Sequence, residues 1–331
     1  MATLSRVREA FPLLPGLELI HRGKVRDTYD LGRGFLLIVA TDGISIFDFV
    51  LDVVIPQKGA VLTAMSTFWF NYLEGRGFKT HLVAAGAHID PYLPAHLRRR
   101  TGLQKRAMVV RKLSMIPIEF VGRMCLTGSA YASYRQKGTV FGYEVPDGMH
   151  DGDLLPSMLF TPTTKAKTGH DLPLDWGEVT ARYPDAVSMF RGACSEMVSF
   201  AEQRDIIVAD TKAEFGYDEE GTLRIGDEFG TPDSSRFWSA LDWRMSRRAG
   251  SRHTPMALDK ELVREWGLSK GLRQLDPLDS IHVAHVQSLR VPEALIIETL
   301  RRYKMIFSYL TGMSVRDYEE QVLRVGVSVA A

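Results

Sequence analysis

The pattern of apolar and polar positions divides the chain into a strand-rich first third and a mixed remainder. Residues 35–42, "FLLIVATD", form a continuous apolar run between Gly34 and Gly43, as is typical of a buried strand. The preceding "GKVRDTYDL" alternates apolar with polar residues, and Gly32 together with Gly34 predicts a hairpin-like turn. In contrast, "VLTAMSTFWFNYLEG" has helical spacing and stops at Gly75. This part therefore predicts β-structure with one long helix.

The remainder of the chain predicts further strands, a long loop and several helices. "AMVVRKLSMIPIEFVGRMCL" reads as two strands broken at Pro117, and residues 138–176 read as one long irregular segment rich in Gly, Pro, Thr and Asp. "IIVADTKAEFGYD" and "GTLRIGDEF" predict the two strands of a hairpin. Helices are predicted over residues 179–205, 257–267 and 291–312, the last with Pro292 in its first turn and Gly312 at its end.

Charge and cysteine content narrow the possible functions. The 331 residues include 41 Lys and Arg against 40 Asp and Glu, so net charge predicts neither a nucleic-acid nor a membrane partner. Cys125 and Cys194 form no metal-binding spacing and no disulfide framework, which favours a reduced, cytoplasmic setting. No stretch of about 18 apolar residues is present to span a bilayer. Any anion site must therefore come from local clustering.

One such cluster is "HRGKVRDTYD". Backbone amides near Gly23 and the side chains of Lys24 and Arg26 could lie against a phosphate. The segment lacks the GxxxxGK[ST] pattern, so it is not a P-loop. A basic hairpin on a solvated face is the alternative interpretation.

A second cluster combines "ADTKAEFG" with "IGDEFGTPDSSR". Asp210, Lys212 and Glu214 are spaced by two and share one face of a strand. A hairpin could bring Glu214 close to Asp227, and two carboxylates with phosphate ligands suit Mg²⁺. Arg236, nine residues beyond Asp227, could form a two-armed pair with a phosphate or carboxylate. An exposed charge ladder and a structural salt bridge are the alternatives.

Two further segments carry polar groups with possible functions. In "RMCLTGSAYASY", Arg123 and Ser129 flank a Gly-Ser turn that could bind an anion at a helix start, or could be an ordinary helix cap. In "LFTPTTKAKTGHD", Lys165, His170 and Asp171 lie in the long loop, which could close over a reaction that must exclude water.

Several segments lie in a recognisable order between about residue 20 and residue 314. They are "GKVRDTYD", "LLIVATDGISIFD", "IPQKGAVLT", "SMIPIEFVGR", "LTGS", "LFTPTTKAKTGHD", "ADTKAEFG", "GDEFGTPDSSRFW" and "RYKMIFSYLTG". In this order they resemble the SAICAR synthetase family, the phosphoribosylaminoimidazole-succinocarboxamide synthases of purine biosynthesis.

The resemblance implies an α+β fold and an ATP-dependent ligase. We expect a kinase-like, β-rich nucleotide-binding domain over residues 1–111 and a larger α+β substrate- and metal-binding domain over residues 112–331. The implied reaction joins a 5-aminoimidazole-4-carboxylate ribotide to L-aspartate and releases ADP and phosphate. The implied partners are these small molecules, with ATP as co-substrate and Mg²⁺, in a monomer or small homo-oligomer.

The resemblance also assigns roles to individual residues. The catalytic pair at the reacting carboxylate would be Asp210 and Lys212. The ATP-binding residues would be Gly23, Lys24, Arg26 and Lys112. The substrate-binding residues would be Arg123, Ser129, Arg236, Asp233, Lys165, His170 and Asp171. The Mg²⁺ ligands would be Glu214 and Asp227.

Two other functions stay open from the sequence. Gly43 stands where the family usually has arginine, and Leu172 stands where it usually has glutamate. These differences allow a paralogue of secondary metabolism that joins a related heterocyclic carboxylate to an amino acid. A catalytically silent nucleotide-binding module is the other alternative, against which Lys212, Glu214 and Asp227 argue.

Overall fold

The computed structural model describes residues 6–165, 171–248 and 255–326, and these form an α+β fold. The strands are β1 (Glu18–Arg22), β2 (Arg26–Gly32), β3 (Phe35–Ala40), β4 (Ser45–Ile46), β5 (Phe49–Val50), β6 (Leu82–Ala85), β7 (Ala107–Arg111), β8 (Ser114–Met115), β9 (Ile118–Leu126), β10 (Thr139–Val140), β11 (Tyr143–Glu144), β12 (Asp153–Phe160), β13 (Thr163–Thr164), β14 (Ile206–Tyr217), β15 (Leu223–Gly226) and β16 (Ser235–Ser239).

Helices connect and cover these strands. The α-helices are α1 (Arg6–Ala10), α2 (Lys58–Glu74), α3 (Thr101–Gln104), α4 (Ser129–Lys137), α5 (Trp176–Arg182), α6 (Pro184–Glu202), α7 (Ala240–Ser246), α8 (Glu261–Ser269), α9 (Ser280–Ser288), α10 (Glu293–Thr311) and α11 (Val315–Gln321). Short 3₁₀ turns span Gly86–Tyr92, Ala95–Leu97 and Leu272–Gln274. Within the described ranges, no helix is both long and apolar enough to cross a bilayer.

The first sheet is antiparallel and, among the described residues, has the order β1-β2-β3-β7-β6. Its middle strand β3 is the apolar run predicted from the sequence, and the predicted turn joins it to β2. Helix α2 lies between β5 and β6 in the chain and stops at its C-cap Gly75, as its pattern predicts.

The second sheet holds most of the predicted chemistry. Its described strands run in the order β12-β9-β14-β15, with β13 paired to β9 and with β8 and β16 paired to β14. Strand β14 is the longest described strand of this sheet, and α6 packs against it. One apolar cluster joins α2, α6, α10 and both sheets, with Trp69, Phe120, Phe190, Phe215 and Tyr303 among its buried members.

Several predictions of secondary structure need correction. Residues 138–176 are not one irregular loop, because they contain β12, whose pairing with β9 is interrupted around Pro156. The helix predicted over residues 179–205 is two helices, since Pro184 starts a new one after Tyr183. The helix predicted over residues 257–267 begins only at Glu261, because Ala257 bridges to Trp238.

The chain changes sheets at residues 112–113, between β7 and β8 and before Pro117, so residues 107–126 form three strands rather than the two predicted with a break at Pro117. Strand β7 ends at Arg111 in the first sheet, and β8 and β9 belong to the second. This crossing coincides with the boundary predicted between residues 111 and 112. The division into two domains itself stays a prediction.

Candidate active site

Residues 23–25 form the tight connection between β1 and β2, and Arg26 begins β2. The N–H of Gly23 donates to the carbonyl oxygen of Arg26 at 2.7 Å. Lys24 pairs with Asp48, and Arg26 forms a two-armed pair with Glu228 in which Nη1 lies 2.9 Å from Oε1. The Lys24 side chain is half exposed, whereas that of Arg26 is 12% exposed. The predicted phosphate-binding turn therefore contacts the acidic segment after β15 through Arg26.

Neighbouring carboxylates keep the Arg26 guanidinium charged. Burial disfavours the charged guanidinium, but Glu228 and then Asp227 outweigh this effect and raise the pKa of Arg26 above its ordinary value. A permanently charged, two-armed donor of this kind suits phosphate oxygens as well as carboxylates.

Lys112 lies at the other end of the first sheet. Its side chain is exposed, and its N–H donates to the carbonyl oxygen of Gly34 at 2.8 Å. By register, Arg26 lies beside Ala40 and the end of β7 beside Phe35, so roughly 17 Å of strand β3 separates the two ends. One nucleotide can contact both cations only if it extends along the sheet.

Asp210 lies between two arginines that come from neighbouring strands. It is directly opposite Arg123 on β9 and opposite Arg236 on β16. Nη1 of Arg123 is 3.6 Å from Oδ2 of Asp210, and Nε of Arg236 is 3.6 Å from Oδ1. We call Arg123, Asp210 and Arg236 the arginine row. The row brings together three of the predicted residues across three strands.

The turn that opens α4 completes this arrangement. Arg123 donates to the hydroxyl of Ser129 at 3.1 Å and to that of Thr161 at 2.8 Å. Gly128 has a φ of 57°, and a Cβ at this position would lie 2.6 Å from Nη1 of Arg236. Only glycine therefore lets the guanidinium of Arg236 pack against this turn.

The electrostatics of the arginine row favour an anion. Burial lowers the pKa of Arg123, and the nearby Arg236 acts in the same direction. For Arg236, burial is outweighed by Asp210 and then Glu261, so its pKa is raised. Two buried guanidiniums share the carboxylate of Asp210, and an anionic ligand would relieve their mutual repulsion.

Lys212 lies on the same strand as Asp210, and its amino group contacts a residue that the sequence analysis missed. Its Nζ is 2.5 Å from Oε2 of Glu119, and its side chain is 46% exposed. Glu119 and Arg123 are four residues apart on β9, so both face the same side of the sheet as Lys212. The alternation within "IEFVGR" could have identified Glu119.

The predicted hairpin brings Glu214 and Asp227 together. Glu214 pairs with Gly226 across β14 and β15, and Asp227 is the next residue. Burial and then Asp227 raise the pKa of Glu214 to about 7, although Lys165 opposes them. For Asp227, burial is outweighed by Arg26 and then Lys165, so its pKa is lowered.

These two carboxylates fit a magnesium ion. Within the described ranges, no group of three or more His, Cys, Asp or Glu side chains forms a metal cluster. Magnesium bound to phosphates usually takes only one or two protein carboxylates, so the pair Glu214 and Asp227 is a sufficient donor set. Burial and then repulsion from Asp227 raise the pKa of Glu214, and a bound cation would relieve that repulsion.

The residues predicted from the long loop are only partly described. Lys165 pairs with Glu214, and its side chain is half exposed. Asp171 is exposed. His170 lies outside the described residues.

Asp233 contacts two residues that the sequence analysis did not select. Its Oδ2 accepts from Nζ of Lys58 at 2.6 Å, and its Oδ1 accepts from the hydroxyl of Tyr303 at 2.5 Å. Lys58 starts α2 and Tyr303 lies within α10. The structure therefore places Asp233 against helices rather than in the arginine row.

A cavity of about 560 Å³ lies beside the arginine row. Its lining includes Gly128 and Arg236, and Asp151, Glu261 and Arg302 contribute further charges. Its volume is within the usual range for small-molecule sites.

Comparisons with known proteins identify the family and agree with this fold. The SAICAR synthetase family model matches residues 19–275. A phosphoribosylaminoimidazole-succinocarboxamide synthase of Thermodesulfovibrio yellowstonii is 38% identical over 307 residues, which cover 90% of this chain and 97% of the relative. The solved "SAICAR-synthase from Saccharomyces cerevisiae complexed SAICAR" is 32% identical, covers 91% of this chain and 97% of that one, and superposes with a TM-score of 0.75.

A more distant structure, "SAICAR synthetase (Type-2) in complex with ADP", shares the fold at 20% identity, with a TM-score of 0.61 over 89% of this chain and 98% of that one. The expected α+β class is thus confirmed by solved relatives as well as by the element order. From the match of the family model and the identity to the relatives, the chain belongs to the SAICAR synthetase family.

Proposed function

We propose that this protein is an ATP-dependent carbon–nitrogen ligase of purine biosynthesis. It joins the carboxylate of 5-amino-1-(5-phosphoribosyl)imidazole-4-carboxylate to the amino group of L-aspartate, and it releases ADP and phosphate. The names of its relatives support this assignment, and so does the product bound in the yeast structure. None of the relatives reported above favours a secondary-metabolism paralogue.

The observation that carries the proposal is the order of groups along β14. Asp210 belongs to the arginine row, Glu214 belongs to the carboxylate pair, and Lys212 lies between them on the same face. Four residues of strand separate the two ends by roughly 13 Å. An anionic substrate at one end and a nucleotide phosphate at the other would therefore meet near Lys212.

We propose that ATP binds near the Glu214 end of β14 and that its phosphates contact both cations of the β1–β2 hairpin. Arg26 and Lys24 would hold phosphate oxygens, with Gly23 keeping the turn tight, and each cation would exchange its present carboxylate for a phosphate. Lys112, at the far end of the first sheet, would contact the nucleoside part of an extended ATP.

Glu214 and Asp227 would hold Mg²⁺ on the phosphates. When bound, the ion supplies charge neutralisation at the oxygens that bridge and surround the transferred group. Lys165, which now pairs with Glu214, would become free to contact substrate. His170, which lies outside the described residues, and Asp171 are also proposed to bind substrate.

We propose that the ribotide binds at the other end of β14, to the arginine row and Ser129. Arg123 and Arg236 would bind the phosphate or carboxylate of the ribotide in two-armed contacts. Asp210 keeps the two guanidiniums at a fixed separation, since each lies 3.6 Å from one of its oxygens.

The chemistry then proceeds in two balanced steps. A carboxylate oxygen of the ribotide attacks the γ-phosphorus of ATP, and the bond to the β-phosphate oxygen breaks, which gives an acyl phosphate and ADP. The aspartate amine attacks the acyl carbon, phosphate leaves with the bonding electron pair, and the nitrogen loses a proton as the amide forms. Lys212 would stabilise the negative charge at the reacting carboxylate, and exclusion of water from the site would limit hydrolysis of the acyl phosphate.

We also propose a cytoplasmic location, which the absence of a disulfide framework favours, and a monomer or small homo-oligomer.

The test is a measurement of ADP release with a substrate panel. ADP formation should require both the imidazole carboxylate ribotide and L-aspartate. A stronger response to another heterocyclic carboxylate would favour the paralogue. ATP binding without turnover across the panel would favour a silent nucleotide-binding module.

A further inference from the structure

Asp233 lies in a buried polar cluster that the proposed chemistry does not use. The side chains of Lys58 and Tyr303 are fully buried, and that of Asp233 is 6% exposed. Each oxygen of the carboxylate accepts from one of the two partners, and Nζ of Lys58 lies 5.7 Å from the centre of the Tyr303 ring. Such a network costs desolvation free energy, which is offset only when its hydrogen bonds hold the groups in a fixed geometry.

Hydrogen bonds to Asp42 fix the N-terminus of α2, where Lys58 lies. Asp42, just after β3, accepts from the N–H of Gly59 at 2.8 Å and from that of Gln57 at 3.1 Å. It also accepts from Arg106 at 3.0 Å. Lys58, which lies between Gln57 and Gly59, is therefore fixed relative to the first sheet.

The same helix also holds the start of the turn that contains Asp233. Nε1 of Trp69 in α2 donates to the carbonyl oxygen of Gly230 at 3.1 Å. Within the turn, the N–H groups of Ser234 and Ser235 donate to the carbonyl oxygen of Thr231 at 3.1 and 2.8 Å. The turn from Gly230 to Ser235 is thus attached to α2 at two points and to α10 at one.

This turn leads directly into the arginine row. Ser235 begins β16, its hydroxyl lies 2.8 Å from that of Thr211, and Arg236 is the next residue. The N–H of Lys212 donates to the carbonyl oxygen of Ser234 at 3.0 Å. A shift of the turn would therefore displace Arg236 relative to Asp210 and Lys212.

We propose that Asp233 is a positioning residue rather than a substrate ligand, and that Lys58 and Tyr303 act through it to set Arg236 for ribotide binding. The proposal rests on the proposed function for the role of Arg236. It differs from the assignment that the sequence suggested for Asp233. It also explains why two helices far apart in the chain converge on one carboxylate.

Tyr303→Phe tests the proposal, because it removes only one hydroxyl. The matched control is Tyr318→Phe, since Tyr318 is also buried, at 4% exposure, and its hydroxyl bonds to Asn71 on the same α2. Tyr303→Phe should raise the ribotide KM about tenfold while the ATP KM changes less than about twofold, because one hydrogen bond to a charged group is lost. Tyr318→Phe should change neither KM by more than about twofold.

A double-mutant cycle asks whether the effect passes through Arg236. In an Arg236→Ala background, Tyr303→Phe should add less than about a twofold rise in the ribotide KM. A full additional effect there, or equal effects of Tyr303→Phe and Tyr318→Phe, would overturn the proposal.

Hydrogen exchange supplies a readout that needs no substrate. Amides of residues 230–237 should exchange faster in Tyr303→Phe and at the wild-type rate in Tyr318→Phe. Unchanged exchange of this segment in Tyr303→Phe would contradict the positioning role. This measurement decides the role of Asp233 separately from the substrate panel, so a failure of the proposed function and a failure of this inference are distinguishable.

Discussion

Among single residues, Asp227 combines a predicted metal role with an unusual backbone. Its φ is 51°, in the left-handed region that asparagine and aspartate tolerate better than other side chains. Asp227→Asn therefore removes the charge without disturbing the turn. We expect the KM for Mg-ATP to rise about tenfold or more while the protein stays folded. Initial rates at varied Mg-ATP measure this effect.

The matched control for Asp227→Asn is Glu220→Gln, an exposed carboxylate in the turn of the same hairpin. It should leave the Mg-ATP dependence unchanged. Near-normal turnover of Asp227→Asn would remove Asp227 from the metal site.

Titration of Asp259 should make the stability of the folded state depend on pH. It is buried, and its oxygens accept from the N–H groups of Phe237 at 3.1 Å and Glu261 at 2.7 Å. Burial and then the charge of Glu261 raise its pKa to about 7. A raised pKa means that the folded state keeps a proton that the unfolded state has lost. The associated stability is full below pH of about 4 and is lost as pH rises through about 7.

Asp259→Asn cannot titrate, so it lacks this loss. We expect the stability of the variant relative to wild type to increase between about pH 5 and about pH 8, whatever its offset at low pH. Urea unfolding at several pH values measures the difference. A difference that stays constant with pH would show that Asp259 does not titrate in this range.

At the scale of elements, the turn from Gly230 to Ser235 links β15 to β16 and carries a steric requirement. Gly230 has a φ of 62°, and a Cβ there would lie 2.4 Å from the ring of Trp69. Gly221, in the turn between β14 and β15, has a φ of 77° but no atom within 4 Å of that position. The two glycines therefore share backbone strain and differ in packing.

The comparison predicts two different costs. Gly221→Ala should lower the free energy of unfolding by about 1–2 kcal/mol, the cost of the left-handed conformation. Gly230→Ala should lower it by about 1–3 kcal/mol more, because the Trp69 ring must move. Equal losses in urea unfolding would mean that Trp69 adapts without cost.

Local sequence patterns predict contacts within a hairpin, but they do not predict contacts that depend on the register of distant strands. Glu214 and Asp227 were predicted to meet because a short turn joins their strands, so the pairing is local. The contact of Asp210 with Arg123 depends on the register of β9 against β14, which no local pattern specifies. Strand β12 was missed since Pro156 and flanking glycines resemble loop sequence.

At the scale of the whole molecule, contacts between residues far apart in the sequence determine which side chains meet in the site. Arg26 meets Glu228 across 202 positions, and Lys58 meets Asp233 across 175. Each charge has many possible partners in the sequence, and only packing of the two sheets around α2 selects one. The family resemblance supplied the fold and the reaction, whereas the partners of Lys58 and Glu119 required the structure.

The central claim is that ATP phosphorylates the ribotide carboxylate before the amide forms, and isotope transfer tests it most directly. Ribotide with ¹⁸O in both carboxylate oxygens is converted with ATP and L-aspartate, and the released phosphate is analysed by mass spectrometry. An acyl phosphate requires one ¹⁸O in each phosphate and the other in the amide carbonyl. Phosphate without ¹⁸O would contradict the account.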